Sequence, residues 1–320
     1  MMNSAGTENR PAGEVRAGTR WLLVAFAGLT FLAVTQLLLL ADVADRYWAW
    51  TIRTELTAAF LGAAYGAGFV LAVAGLRQRH WSRIRVPVVT VTAFTWLTAA
   101  ATVIHLHRLH LTDGWPFARV VAWVWLAVYL VIPLGCLVVV ARQERRRAGA
   151  DVVLQPMPGW LTAVLAAEGA ALLTAGLVLF AGGMTVHHHE PTSVANFWPW
   201  ALTPLSSQVI GAWLVALGLA AALAIRQRDL SRSLVSGMTY AAFGAFQVVA
   251  VIWYWPQIRR HDAWLWIYLA MLAAIVLTGG YGWWAARRGP GGDTAADRFL
   301  EGGRPAATTQ GDQGADRSTV

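Results

Sequence analysis

The chain carries eight apolar runs of about 20 residues, at about 21–41, 56–76, 86–105, 118–141, 160–181, 205–225, 234–255 and 263–286. A run of that length crosses roughly 30 Å of hydrocarbon as a helix, and in lipid the helix is the form that satisfies its own backbone. The sequence therefore specifies an all-α, polytopic integral membrane protein of eight transmembrane helices. A signal peptide competes for the first run, since Arg16 and Arg20 precede it and Ala41-Asp42-Val43-Ala44 resembles a cleavage site. The run exceeds a usual signal core and has an internal counterpart at Trp160-Leu161, so it reads as a retained helix.

The runs fall into two matching sets. Trp48-Ala49-Trp50, an apolar run and Arg77-Gln78-Arg79 return as Trp198-Pro199-Trp200, an apolar run and Arg226-Gln227-Arg228. An offset of 149 residues sets Gly62 against Gly211 and Ala101 against Ala250 without a gap. Trp21-Leu22 matches Trp160-Leu161, and Trp123-Val124-Trp125 matches Trp264-Leu265-Trp266. Such self-similarity implies two four-helix repeats. Four is even, so the copies enter the membrane in the same sense, related by an axis along its normal. The expected organisation is a disordered leader over 1–19, repeats over 20–147 and 148–288, and a disordered tail over 289–320.

All 25 basic residues are Arg, and only six of them, Arg46, Arg53, Arg108, Arg119, Arg259 and Arg260, lie on the loops after the odd-numbered runs. The positive-inside rule then puts both termini in the cytoplasm and the chain in the plasma membrane. The net charge of +8 is spent on topology, and no basic soluble domain remains for nucleic acid. The partner that composition demands is the bilayer. The single cysteine, Cys136, excludes an intrachain disulfide.

Candidate chemistry is sparse. Glu168 is the one charged residue well inside a run, where a lone carboxylate is costly and marks either a site or a neutral, hydrogen-bonded acid. Thr98, Thr102 and His105 continue a stripe from Thr95 along one face of the third helix. Thr hydroxyls commonly bond their own helix, whereas the amides of Gln36 and Gln247 demand partners. The corresponding face of the seventh helix holds Gln247 and Tyr254, extended inward by Tyr240. These residues suggest a cavity between the repeats, opening outward, that binds or transports a small apolar or weakly polar molecule.

Seven of eight histidines, His105, His107, His110, His187, His188, His189 and His261, fall at the expected extracytoplasmic helix ends. Imidazoles with Asp113, Glu190 and Asp262 suit a metal or haem, which makes a membrane-embedded redox enzyme the second reading. A wet interface also accommodates His, and its titration near neutral pH suits proton sensing. A third reading is a non-catalytic sensory or interaction subunit, partnered by a second copy of itself or by another membrane protein. Most of the 18 Trp lie toward the outer side, where they form either a lipid-facing belt or an aromatic mouth. No phosphate loop, nucleophile elbow or His-Glu-x-x-His is present.

Overall fold

The computed structural model describes residues 13–145, 153–185, 197–258 and 261–289. Among them are nine α-helices and no strand: α1 (Ala17–Val34), α2 (Ala44–Tyr47), α3 (Glu55–Leu76), α4 (Trp81–Ile104), α5 (Pro116–Glu144), α6 (Gly159–Thr185), α7 (Pro204–Gln227), α8 (Leu234–Trp253) and α9 (Ala263–Arg288). All but the short α2 are long and apolar enough to cross a membrane. The chain is thus a multi-pass membrane protein by its architecture. Residues 1–12 and 290–320 of the expected leader and tail lie outside the described residues. Gly13 and Val15 belong to the fold, as their backbone bonds below show.

Local chemistry sets several helix ends. Thr203 caps α7 by accepting the Ser206 N–H, with Pro204 at the first helical position where no donor is lost. Asp262 caps α9 through the Trp264 N–H at 3.0 Å. α4 begins at Trp81, earlier than its apolar run, and Pro87 lies inside the helix. The polar residues of its first turn, Ser82, Arg83 and Arg85, had hidden it from hydropathy. Pro133 lies inside α5.

The helices form an inner set and an outer set. Of its most apolar window, α3 buries 78% and α7 61%, against 22% for α1 and α5. Between the halves α3 packs on α8 and α4 on α7. Within the first half α1 packs on α3 and α4 on α5; within the second, α6 packs on α7 and α8 on α9. Close approach on the second side rests on glycine. Gly169, Gly176 and Gly183 stand seven residues apart on α6, facing α7; a Cβ at Gly176 would lie 2.7 Å from the Val215 nitrogen. Small residues on both helices let backbones touch, which in lipid supplies the packing that hydrophobicity cannot.

The Arg-rich ends carry matching backbone bonds. The Val15 N–H donates to Arg79 O and the Trp81 N–H to Gly13 O; likewise the Met157 N–H donates to Arg228 O and the Leu230 N–H to Gln155 O. In the second half this joint is fixed by Asp229, whose carboxylate accepts from the backbone of Leu154, Gln155 and Ser231 and from the Ser231 hydroxyl, and pairs with Arg232 at 3.2 Å. Burial opposes its charge, but the hydrogen bonds together outweigh it and hold the carboxyl below its ordinary range. In the first half Glu144 takes a comparable place, accepting from Trp81 Nε1 at 2.9 Å and Arg85 Nε at 2.7 Å.

Toward the opposite end the halves exchange hydrogen bonds. Trp50 Nε1 donates to Ser206 Oγ at 3.3 Å, and Trp200 Nε1 donates to Thr57 Oγ1 at 2.9 Å. Each tryptophan thus ties its own half to a hydroxyl in the first turn of the other half's inner helix.

Candidate ligand cavity

The first half encloses a cavity of about 310 Å³ between α1, α3, α4 and α5. A neighbouring space of about 420 Å³ shares Leu32, Gln36, Trp48 and Phe117 with it. Volumes of this order are those of small-molecule pockets. The wall is chiefly aliphatic and aromatic, from Phe26, Val121, Val124, Trp125, Val128 and Ile132. α1 and α5 scarcely touch, and the exposed residues flanking their gap, Leu32, Phe117, Val120 and Val124, are apolar. In a bilayer that gap faces hydrocarbon.

Few polar groups reach the space. Thr30 donates to Phe26 O at 2.7 Å and Thr95 to Thr92 O at 3.0 Å, so both hydroxyl hydrogens are spent on their own helix. The Tyr65 and Tyr129 hydroxyls meet at 2.9 Å. Gln36 reaches the wall from a π turn, Thr35–Leu39, that closes α1 with one extra residue per turn, a feature frequent at functional sites. Trp48 lies 4% exposed against Trp50 and Trp125, and its Nε1–H has no acceptor among the described residues. A buried donor without a partner is costly, and of the three buried indoles in that state among the described residues, Trp48, Trp198 and Trp213, Trp48 is the one that lines this cavity.

The candidates read from the sequence fall in separate places. Gln36 lines the cavity. Thr98 and Thr102 stand behind it: Thr102 donates to Thr98 O at 2.8 Å and accepts from Trp125 Nε1 at 3.0 Å. Gln247 is buried between the halves, donating to Phe60 O at 3.0 Å and accepting from the Tyr268 hydroxyl at 3.4 Å. Glu168 and Tyr240 meet in the second half. Tyr254 lies at the far end of α8, where burial and then the charges of Glu55 and Asp42 push its hydroxyl pKa up. Among the described residues the inner helices pack closely at the seam between the halves. Phe94 and Trp213 pack there with ring centroids 4.1 Å apart, and Phe60 meets Phe243 edge-on at 6.0 Å. Aromatic bulk on α3, α4, α7 and α8 fills the centre, and the space lies to one side, among the first four spans.

The histidines do not converge among the described residues. The rings of His105 and His107 have centroids 6.1 Å apart, and His110 is held by Trp48 O at 3.2 Å and Thr51 Oγ1 at 3.0 Å. His261 is exposed at the start of the last helix. His187, His188, His189 and Glu190 lie outside the described residues. Among those described, no three His, Cys, Asp or Glu side chains come together as a metal site.

The tryptophans divide between the two readings. Trp48, Trp50, Trp125, Trp198 and Trp200 are buried, whereas Trp115, Trp123, Trp253, Trp264 and Trp266 face outward as a belt would. Within the pair 123/125 the direction changes from one member to the other, whereas Trp264 and Trp266 both face outward. Sequence reasoning passed over Tyr65 and Tyr129. Tyr65 carried a signal, as the one hydroxyl-bearing ring in a helix built of Ala, Gly and Leu. No protein family, curated protein or solved structure matches the chain.

Proposed function

We propose that the protein binds a lipophilic small molecule carrying a hydrogen-bond acceptor, such as a carbonyl or hydroxyl group, in the cavity of its first half. The observation that carries this reading is the unpartnered Trp48 Nε1–H, buried in an apolar space whose mouth lies between α1 and α5. The molecule enters sideways from the bilayer, its apolar body lies along Val121, Val124 and Val128, and its acceptor meets Trp48, with the Gln36 amide and the tyrosine pair within the same wall. Transport follows if the adjoining space shared with Leu40 and Tyr47 serves as its exit toward the opposite face.

The same proposal takes the Arg-rich ends to be cytoplasmic in the plasma membrane, as the loop charges favour. It takes the halves to be copies of one unit about an axis along the membrane normal. Supporting the repeat are the matched helix partners, the reciprocal Trp50–Ser206 and Trp200–Thr57 bonds, and the paired joints at the Arg-rich end.

The test is mass spectrometry of the organic extract from detergent-purified protein. Wild type retains a stoichiometric lipophilic molecule. Val128→Trp fills the wall and abolishes retention, and Trp48→Phe removes the donor and weakens it about tenfold, the equivalent of 1.4 kcal/mol. Equal retention by Val128→Trp overturns the reading.

A further inference from the structure

The second half holds a buried acid that the ligand cavity does not use. Glu168, in α6, is 4% exposed. Thr278 Oγ1 on α9 lies 3.1 Å from Oε2 and 3.3 Å from Oε1, and also 2.8 Å from its own helix carbonyl, Ala274 O. A threonine hydroxyl has a single hydrogen. Given to Ala274 O, its shortest acceptor, that hydrogen leaves an Oγ1 lone pair facing Glu168. Two oxygens then meet with one hydrogen needed between them, and a protonated carboxyl supplies it.

No cation pairs with Glu168 among the described residues. On the elements packed around it the titratable or charged groups are few. α7 has Arg226 at its end. α8 has Tyr240, whose hydroxyl lies beside the carboxyl. α9 has Tyr268, bonded to Gln247; Tyr281, packed on Trp160; and Arg287 and Arg288, over the rings of Trp283 and Trp284. An ionised carboxylate there would rest on neutral hydroxyls alone, which in hydrocarbon is costly.

Two side chains that meet this acid, Thr278 and Tyr240, also line a narrow slot. That slot, of about 40 Å³, holds Thr278 and Tyr240 at its deep end and Met157, Leu230 and Ser233 at the Arg-rich helix ends. One water centre needs roughly 10–15 Å³. Ala220, Ala221, Ala224, Gly237 and Gly282 keep the slot open by their small size, and Ser233 and Ser236 give water partners within it.

We propose that Glu168 is a reversible proton-binding site, a carboxylic acid that exchanges its proton with the Arg-rich side through this slot. On release the carboxyl O–H bond breaks, its electron pair stays on the carboxylate, and the proton passes to water in the slot. Thr278 then turns its hydroxyl hydrogen from Ala274 O to the carboxylate, and the Tyr240 hydroxyl donates beside it. On uptake the steps reverse. The site stands apart from the ligand cavity and does not depend on it.

The experiment is infrared difference spectroscopy on full-length protein in oriented proteoliposomes, with pH jumps applied to one face at a time. At neutral pH the expected carbonyl band of a protonated carboxyl is lost in Glu168→Gln and shifted in Thr278→Val, which removes its hydrogen-bond partner. An alkaline jump on the Arg-rich face abolishes the band, and Ala224→Phe, which plugs the slot, slows hydrogen–deuterium exchange of that band at least tenfold. The shift in Thr278→Val and the exchange rate assign the band even if Glu168→Gln fails to fold. The proposal is overturned if no protonated-carboxyl band exists at neutral pH, if the band answers only to the opposite face, or if Ala224→Phe leaves exchange unchanged.

Discussion

The two halves share an order of helices and differ in how their outer helices seat. α6 meets α7 glycine to glycine, Gly176 against Gly211 and Gly169 against Gly218, so the backbones touch. In α1 the matching register, set by Trp21 against Trp160, holds Thr30 and Leu37 in place of Gly169 and Gly176. Only α3 offers glycines there, and Leu23, Phe26 and Thr30 fill the space over Gly75 and Gly68. Side chains keep α1 off α3, its π turn closes on Gly62, and the large cavity opens between α1 and α5. The second half leaves a slot of about 40 Å³ and puts a carboxyl beside it. The first half thus holds a wide apolar space, and the second a tight one beside a buried carboxyl.

The sharpest way to break this comparison is to add bulk at a glycine of each outer helix. Gly176→Leu must push against the Val215 nitrogen and Gly211 O, and is expected to cost about 1–3 kcal/mol or more, read as a lower unfolding midpoint in detergent. Gly28→Leu on α1 meets nothing within 4 Å and should stay within about 0.5 kcal/mol. Equal losses would mean that the glycine seam does not hold α6.

The joints at the Arg-rich end come next. Asp229→Ala strands the N–H groups of Leu154, Gln155 and Ser231, at a cost of about 1–3 kcal/mol. His80, its counterpart in the first half, is exposed, and His80→Ala should change stability by less than about 0.5 kcal/mol. Because the Asp229 carboxyl is held low in the fold, its contribution is complete above the unfolded value of about 3.9 and is lost as pH falls through the lower native one. The stability gap between wild type and Asp229→Asn should therefore be constant near neutrality and close in acid. A gap that widens in acid would contradict the assignment.

Smaller effects sharpen the symmetry. Trp50→Phe and Trp200→Phe each remove one hydrogen bond to the opposite half, worth about 0.6–1.5 kcal/mol, and their losses should agree within a few tenths. Unequal losses in thermal unfolding would break the proposed two-fold relation. Least of all, Trp48→Phe and Trp198→Phe delete buried indole N–H groups that have no acceptor among the described residues, so neither should destabilise the protein appreciably. Only Trp48→Phe should weaken ligand retention, since Trp48 lines the cavity.

The spans were legible because runs of about 20 apolar residues leave lipid-embedded chain little choice but helix. Glu168 was legible because one carboxyl in such a run stands out against apolar neighbours. The start of α4 was not, since Ser82, Arg83 and Arg85 make its first turn polar and hydropathy begins only at Val86. Nor was the cavity's position. Polar residues pointed to the seam between the halves, where Phe94 and Trp213 pack against each other. What opens the space is a distance between α1 and α5, set by Thr30, Leu37 and a π turn, and none of these leaves a periodic trace. The direction of each tryptophan was equally hidden, because Trp123 and Trp125 have the same composition around them and face opposite ways.

The most direct test of the central claim is an electron cryomicroscopy density map of the protein in lipid nanodiscs. The account predicts elongated non-protein density between α1 and α5, ending within hydrogen-bonding reach of Trp48 Nε1. An empty cavity, or one closed by α1 resting on α5 with Trp48 bonded to a protein acceptor, would contradict it.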